Sequence, residues 1–264
     1  MSIKDILLYL DDSPACERTI DAALSLAQAQ GARVTGLFIA TYGFYQPHYL
    51  RAEEKIAAVG ALLEMKAEAA GVEACYRSIE SNVVGVGVRE LLIRNSYCSD
   101  LVVVGQESRR TLRAAAVIEH LVAGCGRPVL IVPAAGVFPS VGRRVLVAWK
   151  NGREAARTLH DTLPILRRAE LVTLLAVASD EESNKYRWEG VQEHLQHHGI
   201  QTRVELQPVT TATLADGLLN RACEGGYDLL VMGAYRLESR RGSHLGTAAA
   251  QILREMTIPV VMSH

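Results

Sequence analysis

"YDLLVMGAYRLESRRGSHLGTAAAQILREMTIPVVMSH", residues 227–264, contains the fold in miniature. Two short, unbroken apolar runs, one ending at Gly233 and one following Pro259, bracket a segment of helical spacing that opens at Gly246-Thr247. Continuous apolar strands between amphipathic helices are the pattern of a parallel sheet covered on both faces. Thirteen positions separate Gly233 from Gly246, and the stretch between them is rich in arginine.

Upstream, the same order is already under way: "RVLVAW", a helix from Glu154 to Arg168, "ELVTLLAVA", a helix around 184–198, "IQTRVELQPV" and a helix over 213–224. The first half follows it too. Strand "ILLYL" (6–10) and turn "DDSP" lead into a helix with Ile20, Ala23, Leu24 and Ala27 on one face. After "RVTGLFIA" come a helical segment around 52–70, "VEACYRSI", a helix carrying Val88, Leu91 and Leu92, "DLVVVG", helix "AVIEHLVAGC" and "PVLIVP". Asp11 corresponds to Lys150 at an offset of 139, Gly105 to Gly233 at 128 and Pro128 to Pro259 at 131. Shared element order with small drifts in offset means a duplicated domain. The predicted domains are 1–135 and 142–264, joined by "PAAGVFPSVG" (133–142), whose Pro and Gly content suits a linker. The predicted class is α/β, with two tandem doubly wound parallel-sheet domains of five strands each.

Composition narrows the function. Nearly half the residues are apolar (49%) and only 22% are charged, so 264 residues can bury two real cores and are not disordered. A net charge of −1 argues against nonspecific nucleic-acid binding through a global basic field. No apolar run reaches the roughly 18 residues of a membrane span, and "MSIKDILLYLDD" does not read as a signal peptide. Five scattered cysteines without a CxxC pair suit reduced thiols, so the expected location is the cytoplasm.

In doubly wound sheets, ligands bind at the carboxyl ends of the strands near the topological switch point. In the second half that selects "WKNGRE" (149–154) and the loop after Gly233. Gly246-Thr247 opens a helix whose free N–H groups and positive dipole end favour an anion, and the Thr247 hydroxyl is a further donor. The competing reading is that Gly233 makes a tight turn and Thr247 caps the helix. Spacing alone favours the turn and cap.

The strand end "MGAY", the thirteen-residue step to "GT", the closing "IPVVM" and the opening "VLVAWKNGREAAR" together resemble the universal stress protein family in its tandem two-domain form. The resemblance extends over both halves. It implies an adenine-nucleotide alpha-hydrolase-like sheet of order 3-2-1-4-5. In ATP-binding members it implies a phosphate loop Gly-x-x-Gly-(nine residues)-Gly-Ser/Thr and an Asp at the end of strand one against the adenosine. Here Gly233, Gly246 and Thr247 match, but Arg236 stands at the middle glycine and Lys150 at the Asp. In the first half Asp11 and Gly105 match, whereas Ser108 replaces the middle glycine, Ala115-Ala116 replaces Gly-Ser/Thr and the loop is three residues shorter.

Both nucleotide sites are therefore expected to be degenerate. Asp11 and Gly105 mark the one in the first half. Lys150, Gly233, Arg236, Gly246 and Thr247, with Arg240 and Arg241, are candidates for a nucleotide or anion pocket in the second. There Arg236 either blocks a triphosphate or pairs with a phosphate or carboxylate.

Other signals carry less. There is no Walker A sequence and no Gly-x-Ser-x-Gly elbow, so no catalytic residues are assigned. His194, His197 and His198 have helical spacings that suit either a metal or a solvated helix end, and no metal is assigned. Tyr42, Phe44, Tyr45, His48 and Tyr49 decorate the loop after the second strand, as a lid over the first-half cleft or as an interface cover. The expected function is that of a noncatalytic stress-response sensor or scaffold with an unidentified protein partner. The alternative is an ATP-binding switch or slow ATPase. No cofactor is certain, with ATP or another small anion as the candidate. The resemblance further implies pairing of the two domains through the strands "PVLIVP" and "PVVMSH", and homodimerisation through similar surfaces.

Overall fold

A sheet of five parallel strands needs each strand to start in register with its neighbour, and in both halves an aspartate performs that alignment. Asp100 accepts backbone N–H bonds from Lys4 (2.8 Å) and Asp5 (3.1 Å) through Oδ2. Asp228, 128 residues later, accepts from the N–H groups of Gly142 (3.1 Å), Arg143 (3.1 Å) and Arg144 (2.9 Å) and from Ser140 Oγ (2.7 Å). Each carboxylate sits just before the fourth strand of its sheet and holds the start of the first.

The computed structural model describes residues 2–41, 49–81, 86–106, 112–178, 181–208, 214–234, 236–239 and 242–264. The chain divides into two units, residues 2–139 and 140–264.

In the first unit, β1 (Asp5–Leu10), α1 (Cys16–Gln30), β2 (Arg33–Ala40), α2 (Tyr49–Ala70) and β3 (Ala74–Glu80) make one arm. α3 (Val88–Ser96), β4 (Leu101–Gly105), α4 (Leu112–Gly124) and β5 (Val129–Val132) make the other. The strands pair in parallel in the order β3-β2-β1-β4-β5, with Ile6 opposite Val34 on one side and Leu101 on the other. β4 and β5 are buried through Leu101–Val104 and Val129–Val132, as continuous apolar strands in a covered sheet must be. α1 ends at Gly31, whose φ of 63° lets its N–H reach back to the carbonyls of Ala27 and Gln28.

The second unit repeats this with β6 (Arg144–Trp149), α5 (Arg153–Leu166), β7 (Leu171–Ala178), α6 (Glu181–His197), β8 (Thr202–Pro208), α7 (Leu214–Glu224) and β9 (Leu229–Gly233). α8 (Thr247–Glu255) and β12 (Val260–Ser263) complete it. Its parallel order is β8-β7-β6-β9-β12, the same 3-2-1-4-5 topology. Between β9 and α8 lies an element that periodicity did not predict. β10 (Arg236–Ser239) and β11 (Gly242–Leu245) form an antiparallel hairpin of their own, apart from the main sheet. Four residues per strand, without an apolar alternation, give too weak a period-two signal to be read as strands.

Candidate functional site: the carboxyl end of the second sheet

β6 delivers its chain into the site at Trp149, a buried residue whose Nε1 donates to Asn151 Oδ1 at 2.9 Å. That bond folds the turn 150–152 against the strand end. Lys150 lies exposed on this turn. Gly152 precedes α5 in extended backbone, and Glu154 lies in the first helical turn.

Glu154 neutralises this helix start from within. Its side chain is 14% exposed, accepts from Arg153 Nε at 2.7 Å and lies 3.9 Å from Nδ1 of His264. Burial by itself would push its pKa up. The Arg153 guanidinium, its own backbone N–H and the nearby imidazole together outweigh burial and hold the carboxyl below its ordinary range. A carboxylate already occupies the positive end of α5.

Gly233 ends β9 against the same helix start. A Cβ built there would lie 2.7 Å from the backbone nitrogen of Ala155 and 2.8 Å from the carbonyl carbon of Glu154. The glycine is a seat for α5, so its absent side chain has a packing reason that involves no phosphate. Ala234 then donates to Ser263 O at 3.0 Å, and the hairpin carries the chain out and back. Arg236 pairs with Leu245, and Ser239 with Gly242.

The return strand delivers Gly246 to the start of α8. Gly246 is buried, has φ −59° and ψ 153°, and is itself the N-cap, with its carbonyl taking the first helical bond from Ala250 at 3.0 Å. The sequence alternative in which Thr247 caps the helix is thus corrected: Thr247 is the first helical residue, and its side chain is exposed. The N–H groups of residues 247–249 have no partner inside the helix, because a helix always leaves its first donors unused. No acidic residue lies in the first turn of α8, in contrast to α5.

The structure therefore brings Lys150, Gly233 and Gly246 to one end of one sheet: β6 and β9 are neighbours, with Ala148 opposite Met232. Arg236 is placed by its backbone at the base of the hairpin, while Arg240 and Arg241 lie outside the described residues.

The corresponding end of the first unit is built differently. Asp11 Oδ1 accepts from Ser13 N at 3.0 Å, an Asx turn that leads into α1. Asp12 pairs with Lys55 at 3.0 Å. Burial, with the fields of Asp11 and Asp12 added, pushes the Cys16 thiol up to about 11, which keeps it protonated and unreactive. At the exit from β4, a Cβ on Gly105 would meet Thr19 Oγ1 at 2.8 Å. Gln106 bonds back to the exit of β5, through its N–H to Val132 O at 2.6 Å and through Oε1 from Ala134 N at 2.9 Å. Arg18 Nη2 donates to Ala134 O. Ser108 lies outside the described residues, and Ala115-Ala116 falls within α4.

The remaining candidates are dispersed. His194 and His198 meet edge to face at 4.6 Å, and His197 faces Glu193 at 3.9 Å. Among the described residues no three His, Cys, Asp or Glu side chains converge as a metal group. Of the aromatic cluster, residues 42–48 lie outside the described residues, and Tyr49 begins α2. Among the described residues no helix is long and apolar enough to cross a membrane. Sequence reading missed Glu154 and Asp228. Asp228 had a legible signal, since it repeats Asp100 at the same offset that relates Gly105 to Gly233.

Solved structures share this architecture. A universal stress protein from Archaeoglobus fulgidus DSM 4304 is 19% identical, with 98% of this chain and 97% of that chain covered at a TM-score of 0.74. A functionally unknown protein from Pseudomonas aeruginosa PAO1 is 16% identical, covering 99% and 92% at 0.62. A universal stress protein from Archaeoglobus fulgidus in complex with dAMP is similar over half of this chain, with 50% and 98% covered, 16% identity and a TM-score of 0.37. None of the curated proteins matches. The universal stress protein family model matches residues 2–133, half of the chain. With that match and a sheet order of 3-2-1-4-5 in both units, the chain belongs to the universal stress protein family.

Proposed function

We propose that the chain is a noncatalytic sensor or scaffold of the stress response, and that its second unit is the one that reports a small anionic ligand. The observation that carries this reading is the start of α8. Its first donors face the carboxyl end of the sheet with no acidic residue of the first turn to occupy them, whereas Glu154 already occupies the start of α5. Lys150 and the backbone position of Arg236 add cationic residues around that start, which suits a phosphate or carboxylate. Gly233, Gly246 and Thr247 supply the frame. In this reading ligand occupancy is the signal and a partner protein the reader. The proposed compartment is the cytoplasm.

The test is calorimetric titration with ATP and magnesium, with ADP and with inorganic phosphate, alongside Trp149 fluorescence. Gly246→Asp separates ligand binding from folding. Its φ and ψ suit any residue and Asp is a favoured N-cap whose carboxylate takes the α8 donors; because the position is buried, the denaturant midpoint of the variant is measured beside its affinity. Affinity for the anion is expected to fall about tenfold or more. If Gly246→Asp binds as the native chain does, the ligand lies elsewhere. If ATP binds only with its base intact and is slowly turned over, the chain is an ATP-binding switch instead.

A further inference from the structure

The last turn of α5 and the end of α6 meet through a contact that tolerates only one protonation state. Arg167, the residue that closes α5, brings Nη2 to 2.8 Å from Nδ1 of His198 and donates from Nε to the carbonyl of His198 at 3.3 Å. A guanidinium has five N–H donors and no acceptor, so Nδ1 of His198 must present a lone pair and the ring proton must sit on Nε2. The grip falls at a consequential place. His198 N donates to His194 O (3.3 Å) and Leu195 O (3.0 Å), Gly199 N to Gln196 O (2.8 Å) and Ile200 N to Leu195 O (2.9 Å). Gly199, at φ 76°, reverses the chain, and Ile200 is 3% exposed where the chain enters β8.

The surroundings are one-sided in charge. Besides Arg167, His194 on α6 lies ring to ring with His198 at 4.6 Å, and His160 on α5 acts on it at longer range. The carboxylate on this turn, Glu193, faces His197 instead, at 3.9 Å.

We propose that Arg167 and His198 form a pH-released clip between the C-terminal ends of α5 and α6, closed while His198 is neutral and opened when it takes a proton. Protonation would put an N–H against the guanidinium and a positive charge beside Arg167. Burial of the ring, then His194, Arg167 and His160 in turn, lower the pKa of His198 from its ordinary value. A base whose folded pKa is depressed binds its proton more readily in the opened state. The closing contribution is therefore complete above the ordinary imidazole value and is lost as the pH falls from it through the folded pKa. The clip lies at the end of α5 remote from Gly152, on the order of 20 Å along the helix, so it acts on the exit of α6 and the entry to β8.

The experiment is NMR on the full chain: long-range proton–nitrogen correlation of the histidine rings through a pH titration, with amide hydrogen exchange at about pH 7.5 and about pH 5, corrected for intrinsic exchange. His198 is expected as the Nε2–H tautomer at neutral pH, titrating below the ordinary value and moving up toward it in Arg167→Gln. Protection of the amides of residues 198–200 should fall about threefold or more at the lower pH in the native chain. In His198→Asn, whose Oδ1 can accept from Arg167 at any pH, that fall should vanish. An Nδ1–H tautomer, a pKa unmoved by Arg167→Gln, or the same loss of protection in His198→Asn would each overturn the proposal.

Discussion

At the scale of single residues, Gly233 and Asp228 have their effect through backbone contacts. Gly233→Ala places a methyl group 2.7 Å from a helix backbone that no side-chain rotation can move aside, so α5 must shift. A loss of about 1–3 kcal/mol is expected, the cost of overpacking, to be read from denaturant midpoints. Gly105→Ala should be milder, because it meets only the tip of the Thr19 side chain. Asp228→Ala leaves the N–H groups of Gly142, Arg143 and Arg144 and the Ser140 hydroxyl without their acceptor. Charge-assisted bonds to a carboxylate put that loss at about 2–4 kcal/mol. Asp228→Asn, which keeps one acceptor, should recover part of it. Equal stability of Asp228→Ala and the native chain would mean that water replaces the clasp.

At the scale of elements, the two arms of the second unit are joined by a pair between β8 and α7. Arg221 donates from Nε and Nη2 to the two oxygens of Glu205, at 2.6 Å each. The Arg221 guanidinium holds the Glu205 carboxyl below its ordinary range, with burial opposing. An acid whose folded pKa is depressed contributes stability that is present above its unfolded value and lost as the pH falls through the folded one. The native chain should therefore exceed Glu205→Gln in melting temperature at neutral pH, with the difference closing in acid below the ordinary carboxylate range. A difference that persists unchanged into strong acid would assign the effect to packing of the Arg221 stem over Tyr227, whose ring centroid lies 5.3 Å from the guanidinium carbon. Helix starts show what was legible in the sequence. Gly246 is legible because a glycine placed just ahead of a helical pattern marks where the chain enters the helix. Glu154 is not, since a glutamate in a first helical turn is ordinary until its burial against Arg153 and His264 is seen. The hairpin was hidden because "RLES" and "GSHL" are too short and lack the apolar alternation that would write a period of two into the sequence.

At the scale of the molecule, the doubled order was readable from end to end because parallel strands buried on both faces leave unbroken apolar runs. Such runs recur in both halves at nearly constant offset, and of the parallel strands only the edge strands β3 and β8 are interrupted by charged residues. The two copies diverge where the sheet is not involved, at the strand exits. With 28 basic against 29 acidic residues, the chain has little net charge to keep copies apart near neutrality. Its solubility should pass through a minimum near its isoelectric point of about 6.7 and rise on either side, as light scattering across pH would record. A minimum far from that value would mean that a charged face is covered by association.

The hairpin between β9 and α8 has a consequence for engineering. β10 and β11 pair with one another and not with the main sheet, so the distance between Gly233 and Gly246 is set at the base of the hairpin, where Arg236 meets Leu245. Residues added in matched pairs farther out, between Ser239 and Gly242, lengthen the arm without moving its root. A peptide tag grafted there should leave the melting temperature of the chain unchanged within about 2 °C. The arm is an insertion port, through which a reporter could be hung directly beside the mouth of the second sheet.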